Sequence, residues 1–251
     1  DSGPTLKGRL GRILKGVLRQ AGTRCMLCGR ALHGELPDAC CPECAIALEP
    51  RSSAFCPLCG EPYAVPEEPI SLCGPCRQSG KPWSAFGMYA EYAGALRKSI
   101  IAFKFHGQFG YLRLLRRCLL QAQAQARHGA GVECDMIVPV PLHPRRLYQR
   151  GFNQSLELCR PLASNLNADL APRALSRVRD TQSQSGLDRN QRRRNLSGSI
   201  AADPALVRSS SVLLIDDVYT TGITANVCAR ALLSAGARRV DLLVLARVPG
   251  S

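Results

Sequence analysis

Two stretches of this 251-residue chain hold residue types whose spacing can do chemistry. The first runs from Cys25 to Cys76 and carries nine of the thirteen cysteines. Eight of these form four C-x-x-C pairs: Cys25/Cys28, Cys41/Cys44, Cys56/Cys59 and Cys73/Cys76. A two-residue spacer lets a tight turn aim both thiolates at one ion, and two such pairs complete a tetrahedron. Gaps of 12 residues between the first and second pairs and 13 between the third and fourth suit small ribbon knuckles, and Gly29 and Gly60 supply the glycine that a tight knuckle needs. The pattern predicts two structural zinc sites, one per two pairs. Cys40 is the spare, able to replace Cys41 but at a poorer spacing to Cys44.

A disulfide framework needs an oxidising compartment, and residues 6–18 have neither the apolar core nor the cleavage site of an export signal. A thioredoxin-like redox pair is single rather than fourfold. Iron–sulfur ligation uses other spacings, although cysteines alone do not separate it from zinc. A segment this short buries little apolar surface, so metal must supply its folding energy.

The second stretch is Val212–Thr224, VLLIDDVYTTGIT. Four apolar residues predict a central strand. Asp216 and Asp217 follow at its carboxyl end, where open α/β sheets bind ligands. Thr220, Thr221, Gly222, Ile223 and Thr224 then open a helix, so small residues and backbone N–H groups can surround a phosphate at a helix N-terminus. Paired carboxylates repel a pyrophosphate and suit a sugar's hydroxyls, or a metal those hydroxyls hold. A simple N-capped turn accounts for one acid, not for two followed by three hydroxyls and a glycine. Neither G-x-x-x-x-G-K-[ST] nor G-x-G-x-x-G occurs, so P-loop and dinucleotide-fold readings lack their motif.

These residues need a scaffold, and the texture beyond residue 85 predicts one. Helical periodicity runs over 112–126 and 154–166, with Pro161 an expected kink. Buried strands are expected at 135–142, 212–218 and 239–248, and a helix at 224–235 closed by Gly236. Strands alternating with helices predict an α/β domain with a parallel sheet covered on both faces. The expected organisation is a basic amphipathic segment over 1–22, a cysteine module over 23–82 and the α/β domain over 83–251. No run of about 18 apolar residues occurs, so no membrane-spanning helix is expected. Residues 6–18 read as an amphipathic helix that docks on its own chain in preference to a membrane surface. The expected location is the cytoplasm.

Val212–Thr224 resembles the phosphoribosyl pyrophosphate (PRPP) signature of type I phosphoribosyltransferases. Together with the cysteine pairs, Tyr89–Gly107, Val138–Ser155 and Arg179–Asn195 make nearly the whole chain resemble the ComF family of competence-associated proteins, a double zinc ribbon followed by a phosphoribosyltransferase domain. The resemblance implies that Asp216 and Asp217 contact the ribose hydroxyls and that Thr220, Thr221, Gly222, Ile223 and Thr224 hold the phosphate. It implies that the turn Leu142, His143, Arg145 and Arg146 faces the pyrophosphate, with Mg²⁺ accompanying the ligand and Lys104 an extra contact. It also implies that Arg179–Asn195 is a loop closing over the ligand, with Arg179, Arg189, Arg192, Arg193 and Arg194 neutralising phosphates or nucleic acid. Ile223 departs from the family, which has a smaller residue there.

The formal net charge is +14, and residues 138–200 hold eleven arginines against four acids, half of that surplus in a quarter of the length. A PRPP pocket needs only a few cations. The excess suits a nucleic-acid groove, and Phe105, Tyr148 and Phe152 interleave with it as candidates for stacking on single-stranded bases, or for packing in the core. Three functions compete. The first is a DNA-uptake factor binding PRPP and single-stranded DNA, alongside other DNA-uptake proteins. The others are a biosynthetic phosphoribosyltransferase, for which no acceptor-binding element is recognisable, and a PRPP sensor without turnover.

Overall fold

The computed structural model describes residues 24–32, 40–50, 55–63, 71–130, 134–178 and 198–250, with backbone only for 127–130. The expected helix over 6–18 and the loop Arg179–Asn195 lie outside the described residues. The chain divides into two compact units, Asp1–Leu48 and Glu49–Ser251.

In the first unit, Arg24 and Ala31 form an antiparallel bridge around a turn closed by Cys25 and Arg30, and a short helix, α1, spans Pro42–Ile46. The second unit opens with the same pieces: a bridge between Phe55 and Pro62, a turn closed by Cys56 and Glu61, and a short helix, α2, over Gly74–Ser79. Each short helix starts at the first cysteine of a pair, with proline in its first turn. Proline's fixed φ is already helical, and its missing N–H is one the first turn leaves unused.

The rest of the second unit is an α/β domain. In chain order it contains β1 (Phe86–Glu91), α3 (Gly94–His106), α4 (Leu112–Ala130), β2 (Met136–Pro139), α5 (Pro144–Arg150) and α6 (Gln154–Leu166). It continues with β3 (Asp169–Leu170), β4 (Leu175–Arg177), β5 (Ile200–Ala202), α7 (Pro204–Val207), β6 (Ser211–Tyr219), α8 (Ile223–Ser234) and β7 (Arg239–Arg247). Five strands form one sheet in the order β1-β7-β6-β2-β3, every pairing parallel. β4 and β5 form a separate antiparallel pair.

The sequence dictates this burial. β6 and β7 are near-continuous apolar runs, as strands covered on both faces must be, and β7 is buried from Val240 to Arg247. Successive side chains alternate between faces. Val212, Leu214, Val240, Leu242 and Val244 pack with Ala225, Cys228 and Leu232 of α8. The alternate set includes Leu213, Ile215, Leu243 and Leu245, all buried. Against it lie α4 and α6, with Leu114, Leu115, Leu119, Leu158 and Leu162 fully enclosed. Cys56, Cys59 and Cys76 belong to the same buried cluster as Trp83, Phe86, Met88 and the α8 face. The second cysteine knuckle is therefore part of the sheet's core. α6 runs through Pro161 without interruption.

Asn153 fastens the start of α6 to the end of β2. Its side-chain oxygen accepts from the backbone N–H of Ser155 (3.0 Å), and its Nδ2 donates to the Val140 carbonyl (3.1 Å). Asn153→Ala removes both cap and tie. Such a loss costs about 1–2 kcal/mol. For a chain of this size that lowers the melting temperature by roughly 2–8 °C, readable by calorimetry.

Candidate functional site

A cleft of about 640 Å³ opens at the carboxyl ends of the parallel strands. Three segments make most of it: the end of β6 with the turn into α8, the turn after β2 with α5, and the last turn of α3. Of the residues expected there, Asp216, Asp217, Thr220, Gly222, Thr224, Leu142, Arg146 and Lys104 line the cleft. Thr221, Ile223, His143 and Arg145 do not. His143 instead caps α5, its Nδ1 accepting from the Arg145 backbone N–H at 3.2 Å. Arg179, Arg189, Arg192, Arg193 and Arg194 lie outside the described residues.

The two acids lie near the carboxyl end of β6, three and two residues before its last, and Asp217 is only 4% exposed. Asp216 Oδ1 accepts from the Asp217 backbone N–H (2.9 Å) and from the Ser155 hydroxyl (3.3 Å). Lys104 Nζ, at the end of α3, stands 2.5 Å from Asp217 Oδ2. Burial alone raises a carboxyl pKa, a like charge raises it further and a cation lowers it. For Asp216, burial and the neighbouring Asp217 prevail over Lys104 and bring the carboxyl to about 7. For Asp217, burial is outweighed by Lys104, which holds the carboxyl below its ordinary range.

Among the lining residues that the sequence did not single out for this cleft are Tyr92, Arg150, Arg177 and Tyr219. Arg177 is 8% exposed and sits on the inward side of β4, between an outward Ser176 and an outward Val178. An arginine at an inward strand position is a signal that alternation can reveal. Arg150 donates to Gln154 Oε1 at 2.5 Å, and its guanidinium lies 5.4 Å from the Phe105 ring centre. Lys104, Arg146, Arg150 and Arg177 thus give the cleft four cations against two acids.

Gly222 begins α8 with φ +72°, and a Cβ there would fall 2.3 Å from Tyr219 Oη. Only glycine lets this turn close against the tyrosine ring. Of the three aromatic candidates for base stacking, Phe152 packs against Phe103 (5.0 Å between centres) and Phe109 (4.7 Å). Phe105 and Tyr148 remain 63% and 91% exposed.

The eight paired cysteines resolve into two clusters, each of four sulfurs lying within 4.8 Å of one another: Cys25, Cys28, Cys41 and Cys44, then Cys56, Cys59, Cys73 and Cys76. Cys28 and Cys41 sulfurs are 3.8 Å apart, and Cys59 and Cys73 sulfurs 3.6 Å. A tetrahedral ion with bonds of about 2.3 Å to sulfur sets its ligands about 3.8 Å apart, so both clusters fit a metal. Backbone N–H groups point at the first sulfur of each: Cys41 at Cys25 and Cys73 at Cys56, both 3.4 Å. Burial opposes ionisation of Cys25, but these donors prevail and bring it to about 6. Cys56 is lowered in the same way.

No family model matches the chain. It is 38% identical over 208 residues to the DNA utilization protein YhgH of Salmonella typhimurium, covering 82% of this chain and 89% of that protein. It is 30% identical over 227 residues to Competence protein F of Haemophilus influenzae, covering 89% and 96%. The chain belongs to the ComF family. A further relative of this ComF-family chain is Competence protein ComFC of Streptococcus pneumoniae, 27% identical over 89% of this chain and all of that protein. Among solved structures, it resembles a glutamine PRPP amidotransferase from B. subtilis complexed with ADP and GMP (TM-score 0.39, 18% identical, 57% of this chain and 30% of that one). It also resembles an allosteric regulatory enzyme of purine biosynthesis (TM-score 0.34, 20% identical, 52% and 25%). These two likenesses are too distant to carry a functional argument.

The raised Asp216 carboxyl has a pH consequence. An acid raised on folding binds a proton in the folded chain that the unfolded chain releases near pH 4, so its contribution to stability falls as pH rises from about 4 through 7. Asp216→Asn carries no charge at any pH. Relative to wild type, this variant is expected to gain roughly 2–8 °C in melting temperature between pH 5.5 and 8.5, equivalent to about 1–2 kcal/mol. A pH-independent difference in ligand-free melting curves contradicts the assignment.

Proposed function

We propose that this ComF-family chain is a DNA-uptake-associated protein of the cytoplasm that binds PRPP in the cleft described above and single-stranded DNA on the basic surface beside it. One observation carries the PRPP reading: adjacent acids at the end of a buried strand, followed by a glycine-hinged turn into α8, inside a cleft lined by four cations. Acids match sugar hydroxyls as charge-assisted acceptors, and cations match phosphates. On this reading Asp216 and Asp217 hold the ribose, the Thr220–Thr224 turn holds the phosphate, and Leu142, Arg146, Arg150 and Arg177 face the pyrophosphate. Lys104, paired with Asp217, exchanges that partner for ligand phosphate. Mg²⁺ arriving with the ligand neutralises part of the pyrophosphate charge. Zinc is the metal proposed for both cysteine clusters, on the sulfur spacing and the all-thiolate ligand set.

The DNA reading draws support from the names of the relatives, from the arginine surplus, and from the exposed rings of Phe105, which lies beside Arg150, and Tyr148. Binding, with or without turnover, is the substance of the proposal. If turnover occurs, the bond from the sugar's anomeric carbon to pyrophosphate breaks as one to a nucleophile forms, and the acids stabilise the positive charge that develops on the sugar.

Calorimetry with Mg²⁺ and PRPP tests the cleft. Asp216→Asn with Asp217→Asn keeps side-chain size and removes charge. Two charge-assisted bonds of about 1.5–3 kcal/mol each are lost, weakening binding roughly 10²–10⁴-fold. Wild-type affinity in a double variant whose melting curve is normal would falsify the pocket.

Salt-titrated binding to a single-stranded oligonucleotide tests the second site and separates its parts. Replacing Arg192, Arg193 and Arg194 with Ala is expected to flatten the log–log salt slope by about 2, at about 0.7 per phosphate contact on single strands. Phe105→Ala and Tyr148→Ala are expected to leave the slope alone and weaken binding by about 1–3 kcal/mol each. Unchanged binding in all of these variants rules out this surface.

A further inference from the structure

Arg247 ends β7 with 2% of its surface exposed. A guanidinium so placed must find its hydrogen bonds inside the protein. It finds them on the second cysteine knuckle. Nε donates to the Cys59 carbonyl at 2.7 Å and Nη2 to the Glu61 carboxylate, while Nη1 donates to the Val248 carbonyl at 3.1 Å. Cys59 thus faces two ways: its sulfur belongs to the metal cluster and its carbonyl to Arg247. The knuckle is pressed onto the sheet at the same point. Gly60 has φ +69°, and a Cβ there would lie 2.6 Å from Phe86 and 3.1 Å from Arg247. Trp83 adds a second fastening, Nε1 donating to the Leu58 carbonyl at 2.7 Å.

On its other side Arg247 approaches Tyr219, which lines the ligand cleft. Its guanidinium lies 6.0 Å from the ring centre of Tyr219, its register partner on β6. That ring is 4% exposed, held edge-on by Trp83 and by Phe86, whose centre is 5.1 Å away. The ring in turn backs the turn at Gly222, where no room for a Cβ remains. Sulfur cluster, knuckle carbonyl, Arg247, Tyr219 and phosphate turn form one unbroken series of buried contacts. Close-packed interiors transmit displacement because they have no slack to absorb it.

We propose that metal occupancy of the Cys56/Cys59/Cys73/Cys76 centre sets the affinity of the phosphate turn, with Arg247 as the positioning residue between them. This rests on the PRPP reading above. The metal fixes the Cys59 turn and with it the acceptors of Arg247. Released, the knuckle withdraws two acceptors from a buried cation, which must move with the ring it touches. Cys25, Cys28, Cys41 and Cys44 belong to the other compact unit.

Coupling between two binding sites is reciprocal, so it is measurable from either end. In the zinc-loaded full chain, cysteine alkylation under chelator challenge is followed by peptide mass spectrometry, with and without Mg²⁺ and PRPP, and calorimetry is run on the same sample. The expected result is that PRPP slows alkylation of Cys56, Cys59, Cys73 and Cys76 by roughly 5–150-fold and leaves the first four cysteines unchanged. Arg247→Met is expected to weaken PRPP binding and to erase the protection, and Arg247→Lys to restore part of both. Measurable PRPP binding without selective protection in the wild-type protein overturns the coupling and leaves the PRPP reading standing. Absence of PRPP binding in that sample overturns both.

Discussion

Asp216 and Asp217 are neighbours on one strand, so their charges cannot be separated, and both lose water when the sheet forms. Much of the surrounding structure meets that cost. α3 ends where Lys104 reaches Asp217, and α6 begins where Ser155 reaches Asp216. α5 and β4 bring Arg150 and Arg177 to the same cleft. The balance is incomplete on the Asp216 side, where the carboxyl is left near neutrality. On the proposed reading, a ligand with hydroxyls for the acids and negative charge for the surrounding cations removes the imbalance. The site is thus poised by its own unresolved electrostatics, as strained or mismatched groups at functional sites commonly are.

The local sequence carried much of the fold because the central strands are long and uniformly apolar. β6, β7 and α8 fall within a residue or two of where periodicity puts them, and the signature residues Asp216, Asp217, Thr220 and Gly222 line one cleft. The short strands β3, β4 and β5 were not legible, having two or three residues each and no period to read. Arg150 and Arg177 were missed because their neighbours are set by tertiary topology. Arg150 comes from a short helix whose turn is fixed by Asn153, and Arg177 from a strand that among the described residues pairs with β5 alone. His143 shows the converse, a residue whose motif position suggests ligand contact and whose side chain serves as a helix cap.

The cysteine spacing predicted two sites and said nothing about their difference in context. Both knuckles use the same turn: the N–H of the first cysteine bonds the carbonyl five residues on, and the glycine N–H bonds the cysteine carbonyl, all at 2.8 Å. Identical local geometry serves different surroundings. The second knuckle shares its buried cluster with Phe86, Met88 and Val244, which no spacing rule could foresee, since it depends on where β1 and β7 end.

The order β1-β7-β6-β2-β3 has a consequence for how the chain is made. Phe86 on β1 pairs with Leu242 on β7, and β7 is the only sheet neighbour β1 has among the described residues. During synthesis, β1 must therefore wait for residues 239–247 to leave the ribosome before it has a strand to join. Until then the sheet is open along its middle, with the β6 edge exposed as well. Contacts so distant in sequence form slowly and late. Loss of those nine residues would do more than shorten the protein, because it would leave β1 and β6 with nothing between them.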